Sequence, residues 1–360
     1  METINLKTGV LKVKTNAISD ELVAYGSRIN KKRGFFFVSK VTGNHLPVKP
    51  SLMHNTYKKL AKLIPKSNEP TLFIGFAEAA TALGQGVFEE LDLDDSFYIH
   101  STRFKTSNKI LLSFCEEHSH APSHIFYEPI DENIKSLLQN IKRIILIDDE
   151  VSTGNTANNF VNELKVIFPY IENYYVVSIL NWATIDYDNF KSISLYKGSF
   201  SFTDKKIKSV TKIKSEPKVI KFLDNIIPYN FARYGVKKLK LDLKSYVNLE
   251  ELKEKKILVL GTSEFMYPPY LLAKYLEDNG IESYFQSTTR SPINIDGAIT
   301  SKLNFSDNYF ENIDNFLYNV MDENYDKVLI CYETTLIPKD FDLKQQLSSK
   351  FHIEEIFFYV

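Results

Sequence analysis

The residues best placed to do chemistry lie in one stretch, Arg143-Ile-Ile-Leu-Ile-Asp148-Asp149-Glu150-Val151-Ser152-Thr153-Gly154-Asn155-Thr156. An apolar run ends in two adjacent carboxylates, passes through hydroxyls and a glycine, and leads into a segment of helical period. Ser152, Thr153, Asn155 and Thr156 offer side-chain donors, and the backbone N–H groups of Thr153 to Thr156 open onto a helix start, a setting that favours an anion. A phosphate fits there. Asp148 and Asp149 would repel it unless they face something else, and paired carboxylates suit vicinal sugar hydroxyls or a divalent cation. The combination predicts a ribose 5-phosphate, with the acids on the 2- and 3-hydroxyls and the loop on the 5-phosphate. Any one of these residues alone reads as an ordinary strand end with a capping hydroxyl; the ordered whole favours the phosphate site.

Other segments carry related logic. Leu72 to Gly75 reads as a strand, and Gly75, Phe76, Ala77, Glu78 and Ala79 then lead into a helix, so these amides can also meet an anion. Four histidines, His100, His118, His120 and His124, fall close together beside Glu116 and Glu117. Zinc is one reading of that cluster, but structural zinc favours closed four-ligand sets with cysteine, and Cys115 is the only cysteine nearby. Arg103, at the end of a strand-like run, offers bidentate donors to a diphosphate. Towards the C-terminus, Gly261 to Glu264 follow another apolar strand, and Arg290 and Ser291 follow a further one. Gly261, Glu264, Arg290 and Ser291 are therefore candidates for a second anionic-ligand pocket, with a glycine turn and a proline-ended strand as the structural alternative.

These residues need elements to hold them. Strand-like runs at Thr71–Phe76, Phe97–Arg103, His124–Tyr127, Arg143–Ile147 and Tyr174–Leu180 alternate with segments of helical period, such as Ile134, Leu137, Leu138 and Ile141. That alternation predicts an α/β fold: an open, mostly parallel sheet with helices on both faces, where ligands sit beyond the carboxyl ends of the strands. Residues 185–253 lose the pattern and read as a connector with some structure, strongly basic over residues 205–221. From residue 254 the pattern restarts as a smaller α/β unit, with strands at Ile281–Phe285, Lys327–Tyr332 and Ile353–Val360 and a helix over Tyr267–Leu276.

Composition narrows the function. The chain has 360 residues, 44 Lys plus Arg against 45 Asp plus Glu, and 44% hydrophobic residues. A chain of that length suggests two domains, and its balanced charge argues against extended nucleic acid as a partner. Two distant cysteines, Cys115 and Cys331, fit a reducing compartment. The N-terminus lacks an apolar core segment and no run of about 20 apolar residues occurs, so we expect a cytoplasmic protein without a membrane span.

The run IILIDDEVSTGNT resembles the phosphoribosyl-diphosphate signature of type I phosphoribosyltransferases. More of the chain is similar to a narrower group, bacterial phosphoribosyltransferases fused to a C-terminal TRSP domain and associated with tellurite-resistance stress-response operons. Residues 28–40, Gly75 to Glu78, Phe114 to Ala121, Gly261 to Glu264 and Thr289-Arg290-Ser291-Pro292 carry that likeness. The resemblance implies a phosphoribosyltransferase domain with an N-terminal hood over residues 1–184, a connector over 185–253 and a TRSP domain over 254–360. It implies transfer of a 5-phosphoribosyl group between 5-phosphoribosyl 1-diphosphate and an unknown small acceptor, in the making of a nucleoside-like metabolite. Mg²⁺ is the implied cofactor, reached by Asp148 and Asp149 indirectly through ribose or water. The loop Gly75 to Ala79 would hold diphosphate, although Glu78 is acidic where many relatives are basic or glycine-rich. The segment between the second and third strands corresponds to a mobile catalytic loop, giving Glu117, His118 and Arg103 catalytic roles. Ser152 stands where hypoxanthine-type relatives carry a carboxylate, so a general acid or base is expected from Glu117 or His118. A homodimer and association with products of the same operon are further expected partners. A non-catalytic phosphoribosyl-diphosphate-binding regulator and a phosphoribohydrolase remain alternatives.

Overall fold

The computed structural model describes residues 1–28, 33–115, 123–205, 222–334 and 336–359. They pack as two compact units, one built from residues 1–53, 200–229 and 240–360, the other from residues 54–199 and 230–239. The N-terminal segment contributes β1 (Glu2–Leu6), β2 (Gly9–Val13), the short helix α1 (Ala17–Leu22), β3 (Val23–Ser27) and β4 (Phe35–Ser39). Asn16 and Ser19 start α1 with a reciprocal capping box, each side chain accepting from the other's backbone N–H.

After α2 (Pro50–Leu63) come β5 (Thr71–Gly75), α3 (Ala80–Leu91), β6 (Ser96–His100), β7 (Ile110–Cys115), β8 (Ser123–Tyr127) and α4 (Glu132–Asn140). Then follow β9 (Arg143–Val151), α5 (Asn155–Ile167), β10 (Asn173–Asn181) and β11 (Lys191–Lys197). Five of these strands form one sheet in the order β11-β10-β9-β5-β6, every neighbouring pair parallel. Strands buried on both faces read as continuous apolar runs, and Thr71 to Gly75 and Arg143 to Ile147 are all buried. The chain runs outward from β5 to β6, then returns to place β9 on the other side of β5. The order therefore reverses between β5 and β9, and the crevice beyond their carboxyl ends is the topological switch point.

Two expectations change here. The strand predicted over Arg143–Ile147 continues to Val151, so Asp148 and Asp149 lie within the ladder, with Asp148 opposite Ser178. Residues 185–253 are more than a connector: β11 is the fifth strand of the main sheet, and residues 230–239 return to it through paired backbone bonds between Tyr98 and Val236 at 2.8 and 2.9 Å. Hydrogen bonding to an existing strand edge decides both, and weak local periodicity concealed it.

The chain continues with β12 (Phe200–Asp204), which pairs with β2, and then α6 (Leu249–Leu252). The remaining elements are β13 (Lys256–Gly261), α7 (Tyr267–Asp278), β14 (Glu282–Ser287), β15 (Lys302–Ser306), β16 (Asp314–Tyr318), β17 (Lys327–Tyr332), α8 (Leu343–Ser348) and β18 (His352–Phe357). A second parallel sheet runs β14-β13-β17-β18, while β15 and β16 form a hairpin. Pro268 and Pro269 sit in the first turn of α7, where a missing N–H costs nothing. The hairpin β3–β4 packs within this same unit: Val38 shares a core with Ile293, Ile299, Phe316 and Tyr318. Residues 1–53, expected as a hood within a domain over 1–184, thus bury their apolar faces on C-terminal elements. No helix among the described residues is long and apolar enough to cross a membrane.

Candidate functional site

The carboxyl end of β9 carries three half-buried acids, Asp148, Asp149 and Glu150. The Asp149 carboxyl interacts with both neighbours, through a hydrogen bond with Asp148 and through the charge of Glu150, a residue not singled out in the sequence. The Asp149 N–H donates to Asp148 Oδ1 at 2.9 Å, fixing that carboxylate beside the strand end. Burial, and then the neighbouring charge of Glu150, push the Asp149 carboxyl up to about 6. Such an excess of half-buried negative charge suits a partner that brings hydroxyl donors or a hard cation.

Beyond the acids the chain turns at Gly154, whose φ is 85°, directly into α5. Two features require glycine there. The left-handed backbone disfavours a side chain, and an added Cβ would sit 2.6 Å from the Tyr187 ring. The Tyr187 hydroxyl donates to Asn155 Oδ1 at 2.5 Å and lies 3.4 Å from the Thr153 carbonyl, so it braces the turn from the segment after β10. No side chain caps α5 through a hydrogen bond, while Thr153 Oγ1 accepts from the Asn155 N–H at 3.3 Å. A 13-residue helix with a glycine N-cap leaves first-turn amides directed at whatever occupies the switch point. Ser152 is half-buried, and Thr153, Asn155 and Thr156 are exposed around this turn. Tyr187 was not legible as a site residue, because it is a lone aromatic in a polar segment.

Across the switch point, the loop Phe76 to Ala79 joins β5 to α3 and contains a cis peptide between Ala77 and Glu78. The Ala77 N–H is taken: it donates to Ser101 Oγ at 2.9 Å, and Ser101 N–H donates to the Gly75 carbonyl at 2.9 Å. Arg103 Nη2 donates to the Ala77 carbonyl at 3.1 Å, so this half-buried guanidinium buttresses the loop from outside. Gly75 has a packing reason of its own. A Cβ there would lie 2.2 Å from the Tyr98 hydroxyl, which donates to the Thr81 carbonyl at 2.9 Å in the first turn of α3. Close packing against a buried phenol is thus reason enough for a glycine at position 75. Glu78 and Ala79 are half-buried on the loop.

Phe76 turns inward and meets the Phe160 ring of α5 edge-on at 5.0 Å. Phe114 of β7 and Phe126 of β8 meet the same ring at 5.2 and 5.1 Å. One aromatic of α5 thereby holds together the loop after β5, the phosphate-type turn and the ribbon β7–β8. That ribbon is antiparallel and occupies the place expected for a catalytic loop. Its connection, residues 116–122, with the expected catalytic residues Glu117 and His118 and with Glu116 and His120, lies outside the described residues. His100 and His124 are core residues. The His100 ring nitrogens meet the Ser101 and Phe231 carbonyls at 2.8 and 2.9 Å, and His124 Nδ1 meets Ser101 Oγ at 2.7 Å. Among the described residues no group of three or more His, Cys, Asp or Glu is arranged to hold a metal ion.

The second set of expected residues gathers at the carboxyl ends of β13 and β14. Glu264 is buried, and the Ser263 N–H donates to Thr288 Oγ1 at 2.9 Å. Gly261 is needed because a Cβ would lie 2.5 Å from the Phe265 carbonyl. Arg290 is engaged by Glu311 at 2.9 Å, with the two side chains 8% and 11% exposed, and the Ser291 carbonyl accepts from Tyr318 Oη at 2.7 Å. Asp307 and Glu333 are also buried in this unit, Asp307 accepting from three backbone N–H groups and Glu333 from Tyr309 Oη at 2.6 Å. A guanidinium already paired in an acid-rich surrounding is poorly disposed to anchor an anion, which weighs against the anionic ligand expected for this unit.

Residues 22–199 match a family described as phosphoribosyl transferase, and residues 231–347 match the TRSP domain that lies C-terminal to it. A comparison with curated proteins finds no match. Among solved structures, the chain is similar to adenine phosphoribosyl transferase of Trypanosoma brucei in complex with AMP, pyrophosphate and ribose-5-phosphate. That likeness has 17% identity and a TM-score of 0.37, covering 55% of this chain and 87% of that one. The adenine phosphoribosyltransferase of Leishmania tarentolae is similar at 17% identity and a TM-score of 0.35, over 52% and 94% of the two chains. The xanthine-guanine-hypoxanthine phosphoribosyltransferase of Helicobacter pylori is similar at 16% and a TM-score of 0.26, over 40% and 82%.

Proposed function

Since the chain joins a domain of the phosphoribosyl transferase family to a TRSP domain, we propose that it transfers a 5-phosphoribosyl group between 5-phosphoribosyl 1-diphosphate and a small acceptor. One observation carries the reading: the acids of β9 and the uncapped start of α5 stand together at the switch point between β5 and β9. In this reading the 5-phosphate sits on the amides and hydroxyls of Thr153 to Thr156, at the turn that the left-handed Gly154 makes. Asp148 and Asp149 accept from the ribose 2- and 3-hydroxyls, which orients C1 towards the loop Phe76 to Ala79. Arg103, by fixing the Ala77 carbonyl, holds that loop in place for the diphosphate. Glu117 and His118 are proposed to close over the site, excluding water and moving a proton at the acceptor.

Mg²⁺, a hard cation that favours oxygen and retains its water, would be reached by Asp148 and Asp149 indirectly, through ribose hydroxyls or water. When bound, it would neutralise charge on the diphosphate and ribose oxygens. On the resemblance of the sequence, we extend the reading to a nucleoside-like product in a stress or tellurite-resistance setting.

Calorimetric titration with 5-phosphoribosyl 1-diphosphate and Mg²⁺ tests the site. The wild-type chain should bind, and Asp148→Asn with Asp149→Asn should lose binding while still unfolding in one cooperative thermal transition at no lower a temperature. Unchanged affinity in the double variant would overturn the assignment. Diphosphate release with a panel of nucleobases then separates a transferase from a binding-only regulator.

A further inference from the structure

At the amino end of the main sheet, opposite the candidate transferase site, a cleft of about 680 Å³ opens beside Arg143. Lys58, Lys62 and Lys66 line it, the first two one turn apart on α2, and Glu90 is the acid of the lining. That acid is occupied, since Glu90 Oε1 lies 2.5 Å from His54 Nε2. Ile64, Pro65 and Leu91 supply an apolar wall.

Arg143 is the unusual member. It is the first residue of β9 and is only 2% exposed. Its Nε donates to Thr71 Oγ1 at 3.0 Å and Nη1 donates to the Pro65 carbonyl at 2.7 Å, while Nη2 is buried and has no hydrogen-bond partner among the described residues. No carboxylate is hydrogen-bonded to it among the described residues; Glu69 acts on its charge through space, its donors rest on neutral oxygens, and the centre of the Tyr175 ring lies 6.0 Å away. A buried guanidinium with an unmade hydrogen bond is costly, and its donors form a fork that matches phosphate.

We propose that this cleft binds a small dianion of the phosphate-ester class carried on a flat apolar body, with Arg143, Lys62 and Lys66 as its anchors. Four cations against one engaged acid favour a doubly charged group over a single carboxylate, and the apolar wall favours an aryl or heterocyclic body over free phosphate. The site is separate from the candidate transferase site. Arg143 and Asp148 are five residues apart on one strand, roughly 17 Å at the strand rise.

Phenyl phosphate is a suitable probe, titrated calorimetrically into the full chain. We expect saturable binding that weakens at least tenfold in Lys62→Glu with Lys66→Glu and is unchanged in Asp148→Asn with Asp149→Asn. Phenol should bind far more weakly than phenyl phosphate. Arg143→Lys, if it folds, should also weaken binding; the lysine pair tests the proposal where it does not. The proposal is overturned by no binding of phenyl phosphate at millimolar concentration, by full affinity in the lysine variant, by equal affinity for phenol, or by loss of binding in the aspartate variant.

Discussion

Asp149 bears a charge that its surroundings resist. Its carboxyl is pushed up to about 6 from an ordinary value of 3.8, by burial first and by Glu150 second. The folded protein therefore holds this proton more tightly than the unfolded chain, so ionising Asp149 removes stability as pH rises from the ordinary value through about 6. Asp149→Asn should accordingly stabilise the protein at pH 7.5, by on the order of 1 kcal/mol once solvent screening is allowed for, and by nothing near pH 3.5. Thermal denaturation at both pH values checks this; an equal gain at both would mean that the charge is not the cause. A residue that weakens the fold when charged, and stands at a strand end, fits retention for binding. The two acids and the hydroxyl turn were legible in the sequence because their chemistry is local. The engagement of the Ala77 N–H by Ser101 and the bracing of Gly154 by Tyr187 were not, since each partner is more than 20 residues away.

At the level of elements, Phe160 decides whether the candidate site holds together. It is fully buried and its ring touches Phe76 of the loop after β5 and Phe114 and Phe126 of the ribbon β7–β8. Phe160→Ala should cost about 3–5 kcal/mol, as for other buried aromatic truncations. Phe160→Leu should cost less, yet still weaken binding of 5-phosphoribosyl 1-diphosphate several-fold, because the loop after β5 and the turn into α5 lose their common contact. Denaturant unfolding and calorimetry on the same variant check both parts. Stability loss with wild-type affinity would show that Phe160 supports the fold without positioning the loops. The strands β5, β9 and β10 and the helix α5 were readable from apolar runs and helical period. Of the ribbon, β8 was readable as the run His124–Tyr127, whereas β7 was not, because its residues alternate only weakly.

Over the whole molecule, the unit that holds most of the TRSP domain contains a buried ion pair. Arg290 and Glu311 are 8% and 11% exposed, and Glu311 is raised above the usual carboxylate range by burial, with Arg290 opposing and Asp307 and Glu264 reinforcing the rise. Arg290→Ala strands a carboxylate among other acids and should destabilise the protein by about 3–5 kcal/mol. The penalty should grow with pH above the ordinary carboxylate value, because only the ionised form of Glu311 suffers. Arg290→Met with Glu311→Gln should recover much of the loss. Urea unfolding at pH 5 and pH 8 checks the prediction, and a pH-independent penalty would point to lost packing instead. By itself the sequence determined the fold class and the order of chemistry along β9, since apolar period, strand-end acids and turn residues act over a few positions. Only the tertiary structure decided that β11 and residues 230–239 complete the main sheet, and that residues 1–53 pack with the C-terminal elements. It also decided that Arg290 is already paired and that Arg143 is buried with its Nη2 unpartnered. These outcomes depend on which distant edge or charge a segment meets after collapse, and no local pattern encodes that meeting.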